Sequence, residues 1–187
     1  MARQRSLGEY RAIDLGCFVL MMAAFEPVLH FAATRLFPAE PYTVSAVAAL
    51  TAIVMMRWGP WAAIHAVFGG VFACLLAGAR WDQYLIYGVG NLLSLGALLL
   101  LRAWGKEETQ KDVLQSIGFG LMTALLMQLG RGLLALALGS ELRICLGFFT
   151  TGVVTDLFTV VVVWIARRLD GIFEDQIHYL LRIQKDT

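Results

Sequence analysis

Charge is scarce in this sequence. Asp, Glu, Lys and Arg make up 16% of its 187 residues, against 59% apolar residues; soluble domains carry about 25% charged residues. With a mean hydropathy of +0.70, the composition is that of a membrane protein. The net charge of +1 does not by itself speak to nucleic acid, so charge is read by position below, and no nucleic-acid partner is expected. Three cysteines, Cys17, Cys74 and Cys145, lie within apolar runs without a CxxC pair, and read as small buried hydrophobes. The nucleotide-binding motif G-x-x-x-x-G-K-[ST] is missing, as are HExxH, GxSxG and any His/Cys set at metal-ligand spacing. The chain is therefore expected not to be an enzyme, to hold no metal or cofactor, and to draw energy for any uphill transport from elsewhere.

What is abundant is long apolar sequence. Six segments stand out, at 12–34, 42–56, 60–79, 83–101, 113–138 and 144–166. A helix needs about 20 residues to span a bilayer, so the second is short. The expected fold is an all-α membrane protein of six transmembrane helices in a compact bundle, residues 1–168, with a cytoplasmic amphipathic tail, residues 169–187. "RWGPW" predicts a tight turn and an antiparallel pair between segments two and three. The basic-then-apolar start is interrupted by Asp14 and Glu26, so it reads as a retained first helix rather than a signal peptide.

Orientation follows from Lys and Arg. With the N-terminus inside, the inner set is Arg3, Arg5, Arg11, Arg57, Arg102, Lys106, Lys111, Arg167, Arg168, Arg182 and Lys185, and the outer set is Arg35, Arg80 and Arg143. That bias predicts cytoplasmic N- and C-termini in the cell membrane. Trp58, Trp61, Trp81, Trp104 and Trp164 lie near segment ends, as an aromatic belt would, and Trp81 could also cover a ligand. In the tail, Leu169, Ile172, Phe173, Ile177, Leu180 and Leu181 share one helical face. That face could lie against the protein or dock a cytoplasmic partner.

The remaining cation, Arg131, lies within the membrane and is flanked by Gly130 and Gly132. A charge there must face protein or a wet cavity, which points Arg131 toward Glu26 or toward a ligand. The two glycines remove bulk beside it. Glu26 and His30 are one turn apart on segment one, Tyr84, Tyr87 and Asn91 on segment four, Gln128 on segment five, Thr151 and Asp156 on segment six. Most of these fall at one depth toward the outer face. This predicts an outward-opening polar pocket, with a purely structural Glu26–Arg131 ion pair as the alternative. Asp14 reads as interfacial, and His65 as a hydrogen-bonded packing residue.

Six segments, both ends inside, and the stretch "PYTVSAVAALTAIVMMRWGPWAAIHAVFGGVFACLLAG" together resemble the substrate-binding S component of energy-coupling factor (ECF) vitamin transporters. Ala12-x-x-x-Gly16 fills the place of that family's small-xxx-small docking motif on helix one. The resemblance implies high-affinity capture of a vitamin or related micronutrient at the outer face, in a pocket of outer loops and later helices. It also implies partnership with a transmembrane coupling subunit and two ATPase subunits in the lipid bilayer. Toppling of the S component, which the resemblance also implies, would suit close sliding contacts at Gly69, Gly70 and Ala73 on helix three. Glu26, His30, Tyr84, Tyr87, Asn91, Gln128, Arg131, Thr151 and Asp156 are then the substrate-binding candidates. An arginine with an amide and tyrosines suits a ligand bearing a carboxylate or phosphate and a planar ring. Two rivals remain: a scaffold resembling the cell-shape protein MreD, which binds partners rather than solutes, and a small intramembrane enzyme using Glu26, His30 or Asp156.

Overall fold

The computed structural model describes residues 6–36, 38–39 and 43–186, and of residues 183–186 the backbone only. Arg3, Arg5, the loop positions Phe37 and Glu40–Tyr42, and the side chain of Lys185 lie outside that description. Ten α-helices are seen: α1 (Leu7–Leu36), α2 (Val47–Trp58), α3 (Ala63–Leu76), α4 (Trp81–Gly90), α5 (Leu98–Trp104), α6 (Lys106–Lys111), α7 (Val113–Ala137), α8 (Leu142–Thr151), α9 (Val153–Ala166) and α10 (Gln176–Asp186). There is no strand among the described residues. Five helical runs are long and apolar enough to cross a membrane: Leu7–Leu36, Val47–Leu76, Trp81–Trp104, Val113–Ala137 and Leu142–Ala166. Their outward faces carry large apolar side chains, among them Leu20, Phe25, Leu99, Leu146 and Leu157, as a helical bundle in a bilayer would require.

The run from Val47 to Leu76 is not one rod. A straight helix would place Val47 and Gly69 about 33 Å apart, yet a Cβ added to Gly69 would touch the Val47 side chain at 2.6 Å. The chain reverses at Gly59, whose φ of +60° and ψ of −125° suit glycine alone. Pro60 then opens a short 3₁₀ turn over Gly59–Ala62. Thus α2 and α3 form the antiparallel pair that the G-P turn predicts.

Helix α2 has only twelve residues, and all of them are buried. It is the axis of the bundle, enclosed by α1, α3, α7 and α9. A helix without lipid contact need not match the bilayer thickness, which accounts for its shortness.

Two of the predicted spans are broken. Residues Asn91–Ala97 between α4 and α5 wind as 3₁₀ helix. There Asn91 Nδ2 donates across to the Ala66 carbonyl, and Ser94 Oγ donates back to the Asn91 carbonyl. A tighter helix within a span is a common mark of strain or a hinge. The last span breaks at Gly152, between α8 and α9. A Cβ there would lie 2.3 Å from Gln128 Nε2, so only glycine admits that amide.

The small residues of α3 are not on the outside. Gly69 abuts Met22 and Val47, and a Cβ on Gly70 would meet the Tyr87 carbonyl oxygen at 2.2 Å. They fasten α3 to α1, α2 and α4 within the bundle, which corrects the expectation of a sliding external surface at Gly69 and Gly70. Ala73 is half-buried.

The tail also differs from the predicted continuous helix. Residues 167–175 turn, with Gly171 at φ +66°, and α10 starts only at Gln176. Phe173 is fully buried and its ring lies 6.2 Å from that of Phe119, whereas Leu169, Ile177 and Leu181 are exposed. Arg57 explains the difference. It is 5% exposed, not a loop charge. Its Nε and Nη2 hold both Asp14 oxygens at 2.8 and 2.6 Å, and its Nη1 donates to the carbonyls of Gly171 and Ile172. Trp58, buried rather than belted at the interface, donates to the same Asp14 at 2.6 Å. Gln176 is fully buried, donates to Gly171 O at 2.9 Å and accepts from Tyr10 Oη at 3.2 Å. The segment before α10 is therefore part of the bundle's core.

His65 is fully buried and its Nε2 lies 3.1 Å from the Leu15 carbonyl, in keeping with a packing role.

Candidate functional site

At the end of the bundle opposite the Asp14–Arg57 pair, polar side chains from α1, α4, α7, α8 and α9 approach one another. Gly130 lets α7 press on α4: a Cβ there would lie 2.0 Å from the Gly90 carbonyl oxygen. Gly132 does the same on the α8 side, at 3.3 Å from Cys145 O. Between them Arg131 is held against the start of the 3₁₀ segment. Its Nε donates to Asn91 Oδ1 at 2.6 Å, and its guanidinium carbon lies 4.6 Å from the centre of the Tyr87 ring. Tyr87 is braced edge-on by Phe148, with centroids 5.9 Å apart.

Arg131 has no carboxylate within ion-pair distance among the described residues, and Nη1 and Nη2 make no hydrogen bond there. The alternative, a Glu26–Arg131 ion pair, is not formed among the described residues. Glu26 is 3% exposed and is occupied elsewhere: it accepts from Ser45 Oγ at 2.9 Å and from Ala46 N–H at 2.5 Å. A carboxylate at that place satisfies amides that the start of α2 leaves without helical partners and complements its dipole. The N-cap residue Ala46 has no side chain able to cap α2; Ser45 Oγ accepts from Val47 N–H at 3.2 Å, and Glu26 from α1 completes the cap.

Asp156 is also engaged. It is 8% exposed and accepts from Gln128 Nε2 at 2.6 Å. Gln128 is 4% exposed and its Oε1 has no hydrogen-bond partner. An acceptor buried so deeply without a donor costs about 1–3 kcal/mol, so a donor from water or ligand would be stabilising here.

A strap closes the site from above. Thr43 N–H donates to the Thr151 carbonyl at 3.2 Å, and Thr155 Oγ1 donates to the Thr43 carbonyl at 2.8 Å. Ser45, two residues on, reaches Glu26. The break at Gly152 is what frees the Thr151 carbonyl for this bond. Beneath the strap lies a cavity of about 20 Å³, bounded by Thr43, Ser45, Tyr87, Gln128, Arg131 and Thr151 among others. That is room for a water molecule or so, and far from the few hundred Å³ of a small-molecule pocket.

The structure thus brings Tyr87, Asn91, Gln128, Arg131, Thr151 and Asp156 together, and places Glu26 beside them as a helix cap. Tyr84 is half-buried one turn before Tyr87, with no hydrogen bond among the described residues. His30 faces outward. The buried stripe of α1 runs Met22, Glu26, Leu29, Ala33, at steps of four, three and four, and leaves position 30 outside. Trp81 is 72% exposed and covers nothing. The strap residues Thr43 and Ser45 are the ones that sequence reading misses. Their only signal is a pair of small hydroxyl residues, "TVS", just before a buried helix whose N-cap residue is Ala46. Ala12 and Gly16 are exposed on α1, with open space around a Cβ at Gly16. Among the described residues no group of three or more His, Cys, Asp or Glu is placed to hold a metal ion.

Comparison with protein-family models, with curated proteins and with solved structures found no match to this chain.

Proposed function

We propose that this chain is the substrate-binding membrane subunit of an ECF-type importer, capturing an anionic micronutrient at the outer face for uptake driven by partner ATPases. In this reading the chain spans the membrane six times, with both termini cytoplasmic, and the α2–α3 hairpin supplies two of the crossings. The observation that carries it is Arg131: an arginine inside an apolar bundle, oriented by Asn91 and Tyr87, whose two terminal nitrogens have no acceptor among the described residues. A cation within a membrane-spanning bundle is normally paired, and a carboxylate or phosphate on a ligand would complete this half-buried one bidentately. Tyr87 and Phe148 offer ring faces and edges for a planar group.

A micronutrient needs more room than this cavity of about 20 Å³ gives, so the bundle must open to admit it. Entry requires the Thr43–Ser45 strap to leave Thr151, Thr155 and Glu26, a handful of hydrogen bonds each worth about 1 kcal/mol net. On the opposite side of the reading, Ala12 and Gly16 on the open face of α1 are where a transmembrane coupling subunit could approach closely.

The same small cavity favours a second reading, a membrane scaffold resembling MreD in which the polar cluster only fastens helices. Mass spectrometry of small molecules retained by the detergent-extracted protein separates the two. The importer reading expects an acidic small molecule in near-stoichiometric amount; a scaffold expects none.

A further inference from the structure

At the Asp14–Arg57 end lies a groove of about 330 Å³ that the site above does not explain. It is bounded by the start of α1, the Gly59–Pro60 turn, α5 and the foot of α10. Its apolar lining includes Leu7, Trp61, Leu98 and Leu101, and its cations include Arg11 and Arg102. Leu7 and Trp61 are 47% and 45% exposed, so the groove opens sideways onto the apolar exterior as well as toward the charged end.

The charges there do not cancel. Arg57 is consumed by Asp14, and Lys106 by Asp175. Arg11 and Arg102 have no acidic partner among the described residues; Arg11 instead stacks over Trp61, 4.2 Å from the ring centre. Arg102 is exposed and makes no hydrogen bond among the described residues. Two uncompensated guanidinium groups over an apolar trough with a tryptophan wall match one chemistry closely: a phosphate diester attached to acyl chains. Basic pockets between membrane helices at the interface take such headgroups, and a guanidinium binds phosphate as a fork.

We propose that this groove is a binding site for a single anionic phospholipid, with its phosphate between Arg11 and Arg102 and an acyl chain against Trp61 and Leu98. The site depends on the bundle lying in a membrane and is independent of what, if anything, Arg131 binds.

The test uses the full chain in lipid nanodiscs of phosphatidylglycerol and phosphatidylcholine, released into native mass spectrometry. The wild type should retain one phosphatidylglycerol in preference to phosphatidylcholine. The Arg11→Gln/Arg102→Gln pair should lower that retention about tenfold or more, near the loss expected for two interfacial cations. Arg35→Gln/Arg80→Gln, a charge-matched pair at the opposite end, should leave it unchanged, and millimolar inorganic phosphate should not displace the lipid. Equal retention of the two lipids, an equal loss in the control pair, unchanged retention in the Arg11/Arg102 pair, or displacement by inorganic phosphate would each overturn the proposal. A measurement without substitutions stands beside it. Phosphatidylglycerol with a photoreactive headgroup should crosslink to peptides containing residues 7–11 or 98–106. Crosslinks only at the Arg35–Arg80 end would refute the site.

Discussion

Gly90 and Gly130 meet backbone to backbone: a Cβ on Gly130 would lie 2.0 Å from the Gly90 carbonyl oxygen and 2.8 Å from Leu93 Cβ. This contact sets how closely α7 approaches α4, and so fixes Arg131, the next residue, against Asn91 and Tyr87. Gly130→Ala should therefore force the helices apart. Overpacking of this kind costs about 1–3 kcal/mol, and thermal melting in detergent should show a clear drop. Gly147→Ala, where a Cβ would meet nothing within 4 Å, should melt like the wild type.

The buried pair Asp14–Arg57 should behave as a unit. Arg57→Met alone strands the Asp14 carboxylate and frees two carbonyls of the tail, and breaking such a pair typically costs about 3–5 kcal/mol. Asp14→Asn with Arg57→Met should recover part of that loss. Melting curves for the two single variants and the double variant measure the coupling. Simple additivity would show that the two residues do not depend on each other.

The tail should tolerate truncation only beyond Gln176. Removing residues 177–187 deletes exposed Ile177 and Leu181 and should leave the bundle's melting temperature nearly unchanged. Removing residues 170–187 also takes Phe173, Gln176 and both carbonyl acceptors of Arg57, and should lower it markedly. Equal effects of the two deletions would mean that the turn over 170–176 is not part of the core.

Asp175 predicts a pH dependence at the same end. Burial pushes its carboxyl upward, but the hydrogen bond and charge of Lys106 and the amides of His178 and Ile177 outweigh burial, holding it below its ordinary value. A carboxyl lowered on folding stabilises the fold fully above its unfolded value, about 3.9. That contribution is lost as pH falls through the lower folded value. Proteolysis or hydrogen exchange of α10 should accelerate in that acid range. Asp175→Asn should remove the acid dependence of that protection; an unaltered acid profile in this variant would rule out the Lys106–Asp175 tie as its cause.

Much of this arrangement is legible in the sequence because a membrane simplifies the reading. Apolar runs mark the helices, "RWGPW" marks the reversal, and the expense of polar groups makes Asn91, Gln128, Arg131 and Asp156 conspicuous. What escapes are pairings between elements distant in sequence. Asp14 and Arg57 each look interfacial alone, and only the hairpin of α2 and α3 brings them together. Glu26 is drawn to Arg131 by charge, yet Ser45 Oγ and the Ala46 amide at the start of α2 take it instead. His30 is lost through a shift of one residue in the buried stripe of α1. The 170–176 turn reads as part of an amphipathic helix, since periodicity does not register that Gly171 adopts positive φ or that Arg57 needs its carbonyl.

The most direct measurement is the comparison of small molecules retained by wild type, Arg131→Ala and Arg131→Lys, with melting curves of each after the ligand is removed. If Arg131 reads an anionic ligand group, wild type retains an acidic small molecule and Arg131→Ala weakens its binding by about ten- to a hundredfold, a loss of roughly 1.5–3 kcal/mol. Arg131→Lys should restore only part of it, because a point charge cannot replace the planar fork. The ligand-free melting temperatures should stay close together. A wild type that retains no acidic molecule, with Arg131→Ala melting well below it, would contradict this account and leave Arg131 as a fastener between α4 and α7.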